Sequence, residues 1–112
     1  MAKDLITFEK DKIYKAIHTD VWGRKRNYII FSPLRDITFN RVSTTFKTHF
    51  TVCFDDTITT KYDTDYAITG FDSSCKLGKL NNKDLADVRR AMRLLGDSHH
   101  YNRKLNKVVY GV

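Results

Sequence analysis

One stretch of this 112-residue chain carries the clearest helical periodicity, and it constrains what the remainder must do. Leu85, Val88, Met92 and Leu95 fall at i, i+3, i+7 and i+10, with Ala91 on the same stripe, which predicts a helix of about thirteen residues with one apolar face. Asn81 or Asn82 caps its start, and Asp84 and Asp87 lie toward the positive end of the helix dipole. Arg89, Arg90 and Arg93 lie toward the negative end, and Gly96 is suited to the positive φ that stops a helix. A one-faced helix must bury its stripe against another layer.

The other periodic segments supply that layer, because they read as strands. Positions 5–18 fit either a helical face of Ile6, Ile13 and Ile17 or a strand from Ile13, and the strand is preferred. Tyr28, Ile29, Ile30 and Phe31 form an unbroken apolar run of the kind covered on both faces, ended by Ser32 and Pro33. Phe46, Thr48, Phe50, Val52 and Phe54 share one parity, as in a half-buried strand. Strands over 57–62 and 66–71 follow as a β-meander. Lys107–Tyr110 adds a short strand after a polar stretch at 97–106. No repeat, low-complexity tract or linker interrupts the sequence, and Pro33 is its one proline. Residues 1–112 therefore read as a single α+β domain.

Charge is distributed unevenly. Six Lys and Arg face one Asp over 22–50, and nine face three Asp over 73–112, whereas 51–72 holds five Asp and one Lys; the net charge is +7. Such a surface suits a phosphate backbone, with one acidic edge left over. No apolar run of about 18 residues is present, and the N-terminal residues carry acids without the long apolar core of a signal peptide. The expectation is a cytoplasmic protein that does not enter a membrane. Cys53 and Cys75 form no CxxC, so neither a zinc site nor a redox pair is signalled; a reduced setting is the simpler reading and one disulfide the other.

No GxSxG, HExxH or phosphate-binding glycine loop occurs, and no metal or cofactor is expected. His18, His49, His99 and His100 are scattered, and each is read first as a surface or packing residue. The loop Arg24-Lys25-Arg26 is more informative, because a guanidinium binds phosphate through two parallel hydrogen bonds and stays charged at every relevant pH. Near a scissile phosphate one such arginine stabilises the added negative charge of a pentacoordinate transition state. Hydroxyls of Ser43, Thr44, Thr45 or Thr48 are available to orient the same phosphate. Trp22, Tyr28, Phe39 and Phe46 interleave with these cations, and Trp22 is the aromatic expected to be exposed for stacking unpaired bases.

Two stretches resemble the MazF/PemK type of endoribonuclease toxin. Gly23-Arg24-Lys25-Arg26-Asn27 followed by Tyr28-Ile29-Ile30-Phe31-Ser32 is similar to that family's basic loop and buried strand, with Asn27 where the family usually has proline. Leu77-Gly78-Lys79-Leu80 leading into the helix at 81–92 is similar to its closing turn and helix. The resemblance implies a small, mainly antiparallel β-barrel of SH3-like or MazF-like form with a C-terminal amphipathic helix. It implies metal-independent cleavage of single-stranded RNA by the 2′-hydroxyl, a homodimer, and an antitoxin peptide as partner. Arg26 then takes the place of the catalytic arginine and Thr48, or failing it Thr45 or Thr44, that of the threonine or serine. The nucleic-acid contacts fall to Trp22, Arg24, Lys25, Arg41, Lys47 and His49, and His18 or His49 is the candidate for proton transfer. Two other classes fit the same residues: a non-catalytic nucleic-acid-binding or regulatory protein of phage or plasmid type, and an inhibitor that meets a host protein through the acidic edge at 55–72.

Overall fold

The computed structural model describes residues 6–19, 25–39, 45–54, 60–63, 67–69 and 75–110. In chain order the elements are β1 (Ile6–Phe8), β2 (Tyr14–Thr19), β3 (Lys25–Pro33), β4 (Ile37–Phe39), β5 (Thr45–Phe54), β6 (Thr60–Asp63), β7 (Ala67–Thr69), β8 (Cys75–Gly78), α1 (Asn82–Leu95), β9 (His99–Asn102) and β10 (Lys107–Tyr110). The main sheet runs β6-β5-β3-β2-β8 with antiparallel neighbours, and β7 also pairs with β5. Separate two-stranded ribbons are formed by β1 with β4 and by β9 with β10. This is an α+β architecture.

Three expectations are corrected. The sheet order ends at β6 on one side and β8 on the other, so among the described residues it is open and no closed barrel forms. The helix is not C-terminal: the hairpin of β9 and β10 follows it, and the strand His99–Asn102 carries no sequence signal because its four polar or amphipathic residues show no apolar alternation. The meander fails as well. β6 pairs with Thr51–Phe54 and β7 with Thr45–Lys47, so both lie against β5 at different points along it.

β5 is buried on both of its faces. Between the pairs Phe31↔Thr51 and Pro33↔Thr48, β5 advances three residues while β3 advances two. The extra residue is a β-bulge, which reverses parity. Phe46 therefore packs with Phe8, Ala16 and Phe31, while Phe50 and Val52 pack with Ile13, Ile30, Val88, Ala91, Met92 and Val108 beneath the helix. The aromatic cluster is held by tilted and edge-to-face rings, with Phe8 5.2 Å from Phe31 and 5.9 Å from Phe46 between centroids.

The helix itself starts as its sequence predicts. Asn81 accepts from the Asp84 N–H through its side chain, and the Asp84 carboxylate accepts from the Asn81 N–H, which closes a capping box. Leu85, Val88, Ala91 and Met92 are buried, and Gly96 ends the helix at φ +85°. Among the described residues no helix is long and apolar enough to cross a membrane.

A candidate nucleic-acid interface

The last turn of α1 and the first residues of β9 enclose a groove of about 430 Å³ lined by Arg89, Met92, Arg93, Gly96, Asp97, His99 and His100. Its charge follows from the helix stripe. Leu85, Val88 and Met92 face the sheet, which places Arg89 and Arg93, four residues apart and both exposed, side by side on the outer surface. Among the described residues neither arginine has a carboxylate within ion-pairing distance. Asp97 is the one acid in the lining.

Behind this groove the β5 bulge delivers a buried His49 to the partly exposed Asp11 and Tyr110. His49 is 6% exposed, and its Nε2 lies 2.7 Å from Asp11 Oδ1 and 2.7 Å from the Tyr110 hydroxyl. The same hydroxyl donates to Asp11 Oδ1 at 2.9 Å. An ionised carboxylate only accepts, so Asp11 takes both protons, and a neutral His49 is assigned its Nε2–H tautomer. Burial pushes the Tyr110 phenol up to about 12, helped by its hydrogen bond to Asp11 and by that carboxylate's charge. His99 connects cluster to groove: its ring lies 5.1 Å from Tyr110 and 5.9 Å from His49, both edge-on or tilted, and its Nδ1 is 3.1 Å from Ser98 Oγ.

Asp11 is itself over-determined. It sits at φ +68°, its N–H donates to the Pro33 carbonyl at 2.9 Å, and its carbonyl accepts from Val108 N–H at 2.8 Å. The turn before β2 is thus locked to both the bulged ribbon and the C-terminal hairpin. Asn106, at φ +53°, completes the lock by donating its side-chain amide to the Ile13 carbonyl at 2.9 Å. Residues held in the left-handed region cost free energy and persist only where their surroundings fix them.

The residues singled out from sequence are distributed as follows. Trp22, Arg24 and Arg41 lie outside the described residues, as do the alternatives Ser43 and Thr44. Lys25 and Arg26 open β3, Lys47 is exposed on β5, and Thr48 is 3% exposed with its hydroxyl 3.0 Å from that of Thr51. Pairing sets Thr48 opposite Pro33, seven residues along β3 from Arg26. At ~3.3 Å per residue those two backbones stand roughly 23 Å apart. The structure does not bring Arg26 and Thr48 together. His49 is instead brought beside His99, Asp11 and Tyr110, the last three of which no sequence motif marked as a group. Comparison with protein-family models, with characterised proteins and with solved structures gives no match to this chain.

Proposed function

We propose that this protein binds single-stranded RNA and that the groove between α1 and β9 receives its backbone phosphates. The observation that carries this reading is the lining itself: two arginines and two histidines against one aspartate, on a chain whose net charge is +7. Guanidinium groups pair with phosphate through two hydrogen bonds each, and the volume is on the scale of sites that hold small ligands. Tyr110, 48% exposed beside His99, offers an aromatic face for an unpaired base, with Lys10 Nζ 6.0 Å from its ring centre. Arg103 and Lys104, exposed on the turn between β9 and β10, extend the cationic surface.

The test is titration of a single-stranded RNA pool at several salt concentrations. Each phosphate contact to a single strand contributes a slope of about −0.7 in log K against log salt. Arg89→Ala with Arg93→Ala is expected to weaken binding and to flatten the slope by about 1.4. Unchanged affinity and slope in that double variant would remove the groove from the interface. The MazF/PemK-type reading makes a separate proposal, in which Arg26→Ala abolishes metal-free cleavage, and the homodimer and antitoxin belong to that proposal.

A further inference from the structure

We infer that Asp97 gives the groove a base preference: its carboxylate accepts hydrogen bonds from the Watson–Crick edge of an unpaired guanine. This rests on the RNA-binding reading above and names the nucleotide which that reading leaves open. Asp97 stands where an acid is least expected. It follows Gly96, the C-cap of α1, and the carbonyls that end a helix make that end negative. It does no work in the turn either. The His99 N–H donates to the Gly96 carbonyl at 3.3 Å, so Gly96 holds the first position of the turn, where an aspartate side chain would support it, and Asp97 holds the second. Among the described residues its exposed carboxylate has no hydrogen-bond donor and no cation within ion-pairing distance. Local rules of this kind are broken chiefly at functional sites.

A carboxylate repels backbone phosphate, so its partner in an RNA is a hydrogen-bond donor. Bases of a single strand leave their Watson–Crick edges free to be read. Guanine alone sets two N–H donors side by side on that edge, at N1 and N2, and these match the two oxygens of one carboxylate. Adenine and cytosine place a ring-nitrogen acceptor next to their amino group, and uracil flanks its one N–H with two carbonyl oxygens. Each of these turns a lone pair toward the carboxylate. The approach is open as well. Gly96 has no side chain, and a Cβ built on it meets nothing within 4 Å, so among the described residues nothing crowds a planar ring that reaches Asp97 from that side. Arg89 and Arg93 in the same lining take the phosphates, which divides backbone and base contacts between the helix and the turn that follows it.

The experiment measures the affinity of the full chain for short single strands of adenosine and cytidine that carry one central guanosine, and for the same strands with inosine, 2′-deoxyguanosine, adenosine or uridine at that position. Expected is binding of the guanosine strand at least about tenfold tighter than the adenosine or uridine strand. Inosine, which lacks the N2 amino group, should fall between, and 2′-deoxyguanosine should equal guanosine. Asp97→Asn, an exposed and nearly isosteric change, should bring all the strands within about twofold of one another. It should bind the guanine-free strands no more weakly than wild type, since it removes a negative charge. Binding that ignores the central base overturns this inference and leaves the RNA-binding reading standing. A guanine preference that survives Asp97→Asn overturns it in favour of a reader elsewhere on the chain. Affinity lost with 2′-deoxyguanosine but not with inosine overturns it in favour of the ribose hydroxyl. RNA not bound overturns both readings.

Discussion

The two ends of α1 are built from the same kinds of charged residue and use them in opposite ways. At the N-terminal end the charges are paired inward. Lys15 Nζ lies 2.7 Å from Asp84 Oδ2, where the two side chains are 11% and 1% exposed, and 4.7 Å from the centre of the Tyr28 ring. Lys83 reaches the Tyr28 hydroxyl at 3.2 Å and Asp87 at 3.6 Å, and Tyr62 donates to Asp87 at 2.8 Å. At the C-terminal end Arg89 and Arg93 face a groove with His99, His100 and Asp97. One end is therefore a structural clamp joining β2, β3, β6 and the helix, and the other offers cationic surface to an anion. Substitutions at the first should register in stability and at the second in ligand affinity.

The largest expected effect tests the clamp. Asp84→Ala removes the capping-box acceptor and leaves the Lys15 ammonium without its partner in a nearly closed site, at a cost of about 3–5 kcal/mol in urea unfolding. Replacing both partners, Lys15→Met with Asp84→Leu, should recover most of that loss apart from roughly 1 kcal/mol for the missing cap. If the double variant is as unstable as Asp84→Ala, the ion pair is not what makes the position sensitive.

Gly96 sits where the comparison is sharpest, at the end of the helix and in the wall of the groove. Its φ of +85° and ψ of −178° belong to a region that is nearly exclusive to glycine, while a Cβ built there meets nothing within 4 Å. Gly96→Ala should therefore cost about 1–3 kcal/mol through the backbone alone. Arg89→Ala with Arg93→Ala should move stability by no more than about 0.5 kcal/mol, because both side chains are exposed, so its loss of RNA affinity would be a surface effect. A comparable loss of stability in the arginine variant would erase the distinction between the two ends.

These two ends were not equally legible in the sequence. The clamp end rests on local signals: Asn81 and Asp84 three residues apart, and a stripe at Leu85, Val88, Ala91 and Met92 that repeats with the helical period. The strands at Tyr28–Phe31 and Lys107–Tyr110 were legible for the same reason. The groove end depends on one extra residue in β5. Parity alone assigns Phe46, Thr48, Phe50 and Val52 to one face, and nothing in a Phe-Lys-Thr-His-Phe-Thr-Val run announces where a bulge will fall. That bulge is what carries His49 to Asp11 and Tyr110, which are 38 and 61 residues away in sequence. The polar stretch 97–106 hid a strand because a two-stranded ribbon fixed by backbone hydrogen bonds to Asp11 and Ile13 needs little apolar alternation of its own.

The smallest expected effect probes how firmly the groove end is held from behind. The native Tyr110 phenol stays protonated up to about 12, whereas a tyrosine in an unfolded chain ionises near ~10. Between those values the native state binds the proton and the unfolded state has lost it, so stability falls as pH rises across that window. Below the unfolded value the contribution is fully present. Tyr62 and Tyr101 are also pushed up, each mainly by burial, so wild type alone cannot isolate the residue. The measurement is the difference in urea midpoint between wild type and Tyr110→Phe at pH about 9 and about 11. Tyr110→Phe should start lower, having lost the hydrogen bond from its hydroxyl to Asp11, and should fall less on going to the higher pH. The change is modest because the ring is half exposed and solvent screens it. A parallel loss in both proteins would mean that the Asp11 carboxylate does not grip the hydroxyl, and that His99 rests on a loosely held ring.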